Sequence, residues 1–287
     1  FASSLSSLVR SFPALAAPAL LAPALLAPAL VGCSADDTTL GGDEPVATAD
    51  DGLDARIPRL DSSFLPRDRR SLALTFDDGP DDDGNTDDVL DTLRAEGIRA
   101  TFFVNTRNTV NVEASSVARR ALARIVAEGH ELGSHTARHV DLATLSAAQV
   151  EAELDEVENV VARLVPGAPP LTLIRAPYGS PYFTPGAALD RVGSIVGRHG
   201  VHVLWNIDTN DWRCTSSSSA CVVNNTFTAV DGGRSGIVLF HDIHRTTAEA
   251  IPTIIRGLRQ RGYRFVTVED LVREKYGKSS AELLGQG

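Results

Sequence analysis

The sequence lacks several features that would assign it to common classes. Its formal net charge is −10, so it has no basic excess of the kind that nucleic-acid-binding surfaces require, and we expect no nucleic-acid partner. It contains no methionine and opens on Phe1, so we expect the natural start to lie upstream. Beyond an Ala-Pro period near the N-terminus there is no internal repeat, which excludes a solenoid. Apart from the N-terminal segments described next, the chain has a length that fits one domain.

The first 32 residues carry one charge, Arg10, and consist largely of Ala, Leu and Pro. A basic start followed by an apolar stretch is typical of a secretory signal, and the segment ends in Leu30-Val31-Gly32-Cys33, the lipobox pattern of bacterial lipoproteins. The alternative is a transmembrane anchor or a buried helix, but a proline every five residues makes a persistent helix costly. We therefore predict a signal peptide over 1–32 and an exported protein tethered to a bacterial membrane, in the periplasm or at the cell surface, through lipidated Cys33.

Residues 33–55 hold seven acidic side chains and no basic one. Such a segment has too little apolar surface to pack, so it is predicted to be a flexible tether. Without Arg10 and these seven acids, residues 56–287 have a net charge of only −4. We predict that these residues form the single folded domain, and we expect it to be a monomer.

Short apolar strands alternate with amphipathic helices along this domain. The predicted helices include Thr86 to Glu96, which Gly97 ends, and Ala147 to Leu164. Alternation of this kind indicates a parallel sheet with crossover helices, and no glycine-rich phosphate turn follows the first strand. The predicted fold is therefore α/β, a single distorted (β/α) barrel with about seven parallel strands. The predicted strands are 72–76, 100–104, 131–134, 171–174, 201–205, 237–240 and 264–268.

Five short clusters concentrate the reactive side chains, and four of them begin at or just past the end of a predicted strand. In a closed α/β barrel these ends gather on one face, so the clusters are predicted to meet in one site. Their content, a carboxylate pair, two histidines, an arginine and a further histidine, is that of a metal-dependent hydrolase. The clusters are Thr75-Phe76-Asp77-Asp78-Gly79-Pro80, His135-Thr136-Ala137-Arg138-His139, Arg175-Ala176-Pro177-Tyr178-Gly179, Asp208-Thr209-Asn210-Asp211-Trp212 and Leu239-Phe240-His241-Asp242.

The second cluster gives the strongest indication of a metal. His135 and His139 are four residues apart, which on a helical turn would place both rings on one side. Taken alone, the pair could equally be two surface histidines, but Asp78 can add a carboxylate ligand and leave positions for water and substrate. Asp77 and Asp78 precede a Gly-Pro turn, so one carboxylate can bind metal while the other remains free as a base.

Two cysteines other than Cys33 flank a serine-rich loop. Cys214 and Cys221 are compatible with a local disulfide in an exported protein, and the alternative is two unpaired thiols. We predict the disulfide.

Together, the five clusters resemble the polysaccharide deacetylase family, also called the NodB-homology domain or carbohydrate esterase family 4. The resemblance extends from about Ser71 to Leu271 and includes the connecting segments 97–104 and 129–136. It implies that Asp78, His135 and His139 bind one divalent metal ion, zinc by expectation, with cobalt or nickel as alternatives.

The resemblance also implies the remaining roles in the site. Asp77 resembles the general base, Arg175 the arginine that holds this base ionised, and His241 the proton donor to the leaving amine. Asp211 would hydrogen-bond His241 and raise its pKa. The positions that resemble substrate-binding ones are Tyr178, whose backbone N–H would meet the oxyanion, and Trp212 and Leu239, which would line the acetyl pocket.

Departures from the family pattern are few. Ala176 stands where many members have proline. We interpret His199 and His202 as structural, and His244, three residues past His241, as a candidate for lining the substrate groove.

The predicted function is therefore removal of N-acetyl groups from N-acetylglucosamine units of peptidoglycan or an exopolysaccharide in the cell envelope. Two enzymatic alternatives remain, a chitin oligosaccharide deacetylase and an O-acetyl esterase acting on xylan. A catalytically silent glycan-binding lipoprotein is the alternative from another class, and its mark would be a broken cluster. None of the five clusters is broken.

Overall fold

A sheet of nine strands organises the part of the chain that the computed structural model describes, which comprises residues 57–183, 186–216 and 218–286. The predicted signal peptide, Cys33 and the tether lie outside these residues. The pairings between the named strands are parallel. The strands are β1 (Arg59–Leu60), β2 (Ser71–Asp77), β3 (Thr101–Val104), β4 (Glu131–Ser134), β5 (Leu173–Ile174), β6 (Val201–Val203), β7 (Ile207–Asp208), β8 (Gly236–His241) and β9 (Arg264–Val266).

The strand order is β1-β6-β5-β4-β3-β2-β8-β7, and β9 pairs with the first half of β2. Within the described residues β1 and β7 are the outer strands and do not pair with each other, so the barrel is distorted and open. The predicted fold is confirmed, and each of the seven predicted strands is present. Strands β1 and β7 were not predicted, because each has two residues and lies outside any apolar run, whereas the equally short β5 lies in the apolar segment 171–174.

Eight α-helices cover the sheet in the described part of the chain. The helix predicted over Ala147 to Leu164 is found with those bounds, and its N-terminus carries a capping box formed by Ser146 and Gln149. The helices are α1 (Asn85–Glu96), α2 (Ser116–Ala127), α3 (Ala147–Leu164), α4 (Ala187–His199), α5 (Ala220–Asp231), α6 (Arg245–Gln260), α7 (Val268–Tyr276) and α8 (Ser280–Leu283). None of these helices is both long enough and apolar enough to cross a membrane.

Strand β2 shows how the fold positions polar side chains. Successive side chains of a strand point to opposite faces, and Leu72, Leu74 and Phe76 pack into the hydrophobic cluster that contains residues of α1 and α6. The opposite face carries Ala73, which packs in a second cluster with residues of α7, followed by Thr75 and Asp77. The face of β2 that carries Ala73, Thr75 and Asp77 is therefore apolar at its start and polar at its carboxyl end.

Candidate active site

Strand β2 ends at Asp77, and the chain turns at the next residue. Asp78 has a left-handed backbone with φ 76°, so the two adjacent carboxylates leave the strand in different directions. Asp77 is buried at 2% exposure, whereas Asp78 is only half-buried. Gly79 completes the turn against Asp242, since a Cβ at this position would lie 2.2 Å from a carboxylate oxygen of Asp242. The predicted turn therefore gives the two aspartates different environments.

His135 and His139 lie on a loop that follows β4. The expectation that a helical turn brings them together is wrong, because Thr136 and His139 adopt left-handed backbone conformations with φ 66° and 56°. These bends still bring the two rings together, with centroids 4.9 Å apart. The loop is fixed by Asn105, whose side-chain amide donates to the carbonyl oxygens of His135 and Thr136 at 2.6 and 2.8 Å.

The two imidazoles and Asp78 have the separations that a shared metal ion requires. Oδ1 of Asp78 is 3.7 Å from Nε2 of His135 and 3.4 Å from Nε2 of His139. Two ligand atoms on one tetrahedral zinc ion are about 3.4 Å apart, given bond lengths near 2.1 Å. Nδ1 of His135 is 2.6 Å from the carbonyl oxygen of Arg175, which can only accept, so Nδ1 carries the proton and Nε2 is free to bind metal. These three residues fit a divalent metal ion.

Arg175 follows β5 and is fully buried beneath the site. Its Nη1 donates to Oδ1 of Asp77 and to the hydroxyl of Thr75, both at 2.8 Å. Its guanidinium also lies 4.2 Å from the ring centroid of Phe103. Burial raises the pKa of Asp77 above its ordinary value, and the positive charge of Arg175 limits that rise. Asp77 is therefore a carboxylate that is held in place and has a raised pKa, as suits a general base.

His241 ends β8 and lies beside Asp77 of the neighbouring strand β2, because these two residues are register partners. Its Nδ1 donates to Oδ1 of Asp211 at 2.8 Å, and its backbone N–H donates to Oδ2 at 2.7 Å. Burial opposes a positive charge on the imidazole, but the hydrogen bond and charge of Asp211 outweigh it and raise the pKa of His241 to about 9. Asp211 therefore favours the protonated form of the ring at neutral pH.

The three predicted substrate-binding residues lie around this centre. Leu239 is two residues before His241 on the same face of β8, where it pairs with Thr75 and is buried at 4% exposure. Trp212 is 48% exposed and follows Asp211 directly. Tyr178 is 63% exposed, has a left-handed backbone with φ 61°, and places its ring edge-on to His139 with centroids 4.8 Å apart. Leu239 thus lies at the base of the site and the two aromatic rings at its rim.

Several residues that hold the site in place were not predicted. Glu153 on α3 is fully buried and accepts the backbone N–H of Arg138 at 2.9 Å, and Thr247 donates to Asp211 at 2.8 Å. Two features of the sequence could have identified some of these supporting residues. Asn105 follows the end of a predicted strand, and Glu153 is a charge on the apolar face of a predicted helix.

Two of the other histidines, His199 and His202, have the surroundings of structural residues. His199 lies between Glu151 and Glu158, with ring nitrogens 2.6 and 2.8 Å from their carboxylates. His202 is fully buried. The His244 ring is 6.0 Å from that of His241, at the edge of the site.

A disulfide joins Cys214 to Cys221 and closes the loop after Trp212. The short 3₁₀ helix Asp211–Arg213 directly precedes Cys214, so the crosslink restrains the segment that carries Asp211. Disulfides form in oxidising compartments, which agrees with export.

Comparison with known proteins identifies relatives over most of the described residues. The sequence profile of the polysaccharide deacetylase family matches residues 65–203. A chitin deacetylase of Colletotrichum lindemuthianum is 39% identical over 203 residues, which cover 69% of this chain and 77% of that protein. The peptidoglycan-N-acetylglucosamine deacetylase PgdA of Listeria monocytogenes is 33% identical over 207 residues, covering 72% of this chain but only 40% of that protein.

The solved structure of the Colletotrichum chitin deacetylase superimposes with a TM-score of 0.62 at 34% sequence identity. The superposition covers 72% of this chain and 88% of that one. Several of the other similar proteins are longer, and this chain spans between 40% and 62% of their length.

Proposed function

The chain belongs to the polysaccharide deacetylase family, and from this premise we propose that it hydrolyses N-acetyl groups of N-acetylglucosamine-containing polysaccharide in the cell envelope, either peptidoglycan or an exopolysaccharide. The observation that carries the proposal is the pairing of a carboxylate and a histidine on neighbouring strands, each held by its own buried partner. Asp77, the register partner of His241, is held by Arg175, whereas His241 is held as an acid by Asp211. Amide hydrolysis needs both, because water must lose a proton and the departing amine must gain one.

Enzymes of this family use a divalent metal ion, and we propose zinc at Asp78, His135 and His139, with cobalt or nickel as alternatives. The separations of 3.4 and 3.7 Å among their ligand atoms support this set. When bound, such an ion lowers the pKa of a coordinated water and polarises the carbonyl under attack. The carbonyl oxygen of Arg175 orients His135 for this role by accepting its Nδ1–H.

The residues of the chain would share the proton transfers between the two sides of the site. Asp77 removes a proton from the attacking water, and Arg175 keeps this carboxylate in one orientation through its 2.8 Å hydrogen bond. His241 then donates its proton to the amine nitrogen as the carbon–nitrogen bond breaks. Asp211 keeps this imidazole protonated until that step.

Tyr178, Leu239 and Trp212 would bind the acetamide group. The left-handed backbone of Tyr178 directly after Pro177 supports a role for its N–H as donor to the developing oxyanion. Leu239, buried beside Thr75 on the floor, and Trp212 on the rim supply apolar walls for the acetyl methyl group.

The distribution of exposed aromatic rings supports a sugar polymer as substrate. Four large hydrophobic side chains are prominently exposed in the described residues, and three of them, Tyr178, Phe183 and Trp212, are on the loops of the site. The ring of Phe183 packs over the backbone of Gly179, next to Tyr178. Exposed rings of this kind offer apolar faces on which pyranose rings can stack.

A second candidate is a chitin oligosaccharide deacetylase, which the 39% identity to the Colletotrichum chitin deacetylase favours. The same chemistry would cleave an O-acetyl ester of xylan. A catalytically silent glycan-binding protein is the least favoured reading, because no catalytic or ligand position is substituted.

For the chain as a whole, we propose a lipoprotein signal over 1–32, a tether over 33–55 and a catalytic domain over 56–287. Lipidation of Cys33 would attach the protein to the membrane, and we propose that it acts as a monomer. The Cys214–Cys221 disulfide supports the exported location.

Acetate release from a substrate panel tests the proposal. Purified domain would be incubated with peptidoglycan, poly-N-acetylglucosamine, chitin oligomers and acetylxylan, before and after removal of metal by a chelator. We expect release from the first two, loss of release after chelation, and recovery when zinc is returned. Release from acetylxylan alone, or release that a chelator does not affect, would contradict the proposal.

A further inference from the structure

The peptide unit between Arg175 and Ala176 is hydrogen-bonded at both ends to histidine rings. Its carbonyl oxygen accepts Nδ1–H of His135 at 2.6 Å, and its N–H donates to Nε2 of His202 at 3.2 Å. Because both groups belong to one planar, conjugated amide, the two hydrogen bonds are in series. His202, which is not in direct hydrogen-bond contact with the site, is thereby connected to a candidate metal ligand.

His202 is well fixed to serve as the acceptor. It lies in β6, pairs with Ile174 of β5 in the sheet, and stacks on Tyr182 with ring centroids 3.3 Å apart. Burial, together with the nearby charge of Arg175, holds the pKa of His202 well below its ordinary value, so the ring is neutral and Nε2 has a free lone pair. Strand β6 also holds Arg175 directly, since the carbonyl oxygen of Val203 accepts its Nε–H at 3.1 Å.

A neutral histidine is a costly residue at this position. With Nε2 acting as acceptor, the proton is on Nδ1, which has no hydrogen-bond partner among the described residues. An unpaired buried donor is destabilising, and an apolar ring of similar shape would leave no such donor. What such a ring could not provide is an acceptor for the N–H of Ala176. That N–H exists because residue 176 is alanine, since proline has none.

We propose that His202 is a positioning residue for the metal ligand His135, acting through the Arg175–Ala176 peptide. Accepting the amide N–H increases the negative charge on its carbonyl oxygen, which strengthens the hydrogen bond from Nδ1 of His135. That hydrogen bond fixes the tautomer and the ring orientation of His135, and it raises the basicity of Nε2 toward a metal ion. The inference rests on the proposed assignment of His135 as a ligand.

The test is the zinc affinity of metal-free protein, measured by competition with a chromophoric chelator. His202→Phe keeps an aromatic ring against Tyr182 but removes the acceptor. We expect zinc binding weakened by about tenfold, the low end of the effect of outer-shell partners, because the coupling passes through one further group. His202→Gln can place its amide oxygen near the position of Nε2, so it should bind zinc nearly as tightly as the wild type.

His130 offers a matched control. It is another buried histidine whose ring accepts a backbone N–H, that of Ala100 at 3.1 Å, but this residue precedes β3 at the opposite end of the sheet from the site. Phenylalanine at position 130 or 202 leaves a buried backbone N–H without its acceptor, so both variants should lower the thermal unfolding midpoint of metal-free protein. His130→Phe should nevertheless leave zinc affinity unchanged. The comparison separates loss of stability from loss of ligand positioning.

Unchanged zinc affinity in His202→Phe, or an equal loss in His130→Phe, would overturn the inference. If His202→Phe does not fold, the comparison of His202→Gln with the shorter His202→Asn replaces it, and equal affinities of these two would overturn the inference as well. Failure of the proposed function gives a different result, since the wild type itself would then bind no zinc. In metal-free protein, the NMR signal of the His135 Nδ1 proton should also shift between wild type and His202→Phe but not His130→Phe.

Discussion

Replacement of Asp211 by asparagine should move the alkaline limit of catalysis. Each oxygen of this fully buried carboxylate accepts two hydrogen bonds. Oδ1 accepts Nδ1–H of His241 and the backbone N–H of Trp212, and Oδ2 accepts the backbone N–H of His241 and the hydroxyl of Thr247. Asparagine removes the charge and turns one acceptor oxygen into a donor, so at least one of these groups loses its partner.

The magnitude follows from what raises the pKa of His241. Burial alone would lower it, and Asp211 supplies the largest opposing influence that brings it to about 9. Without that carboxylate the pKa should fall to its ordinary value near 6.5 or below, a change of about two units or about 3 kcal/mol. At pH 8 the protonated fraction of His241 would then drop from about nine tenths to a few hundredths. Because the protonated ring is the proposed acid, activity above neutral pH should be lost first.

The assay is the dependence of kcat/KM on pH for acetate release from an N-acetyl substrate, with metal at saturation so that ligand protonation does not contribute. The alkaline limb should lie near pH 9 in the wild type and about two units lower in Asp211→Asn. Asp208→Asn is the matched control, because Asp208 lies on the adjoining strand β7 and bonds only its own loop at Asn210 N–H among the described contacts. A limb that stays in place in Asp211→Asn would refute the assignment of His241 as the acid.

Three further predictions concern other residues. Asp77→Asn should retain zinc by elemental analysis and lose about 10²-fold or more in kcat, as expected for a general base. Asp78→Asn should instead lose zinc. The reverse pattern would show that the roles of the two aspartates are exchanged. Arg175→Met should lower the free energy of unfolding in urea by about 3–5 kcal/mol, because it leaves Asp77 buried and unpaired, and the loss should shrink as the pH falls and Asp77 becomes protonated. A pH-independent loss would instead indicate a packing effect. Cys33→Ser should release the protein from the membrane fraction without changing the activity of the isolated domain, and unaltered fractionation would rule out lipid anchoring at this residue.

Much of the fold could be predicted because most of its strands lie in short apolar runs of the sequence. Strand β2, with its apolar run before Asp77, is found within one residue at each end of the prediction. The two strands that escaped prediction have two residues each, and they form because longer neighbours offer unpaired edges. Such pairing is decided by tertiary structure, which no local pattern records.

The loop from His135 to His139 shows the limit for the site. The spacing of the two histidines indicated correctly that their rings meet, but it indicated the wrong backbone conformation between them. A separation of four residues can bring two rings together on a helical turn, and it can also do so on a loop with two left-handed residues. The loop holds its shape through Asn105 and Glu153, which are distant in sequence. Contacts of that kind become visible only when the chain is folded.

The close approach of Gly79 to Asp242 restricts how these two positions can change over evolution. Any side chain at position 79 would occupy the space of the Asp242 carboxylate, which is itself buried and bonded to the hydroxyl of Thr86 at 2.7 Å. A substitution of Gly79 would therefore be tolerated only in a background where residue 242 had already become smaller. Gly79 is two residues from Asp77. A change at position 79 that came before a change at position 242 would therefore disturb the turn that carries Asp77.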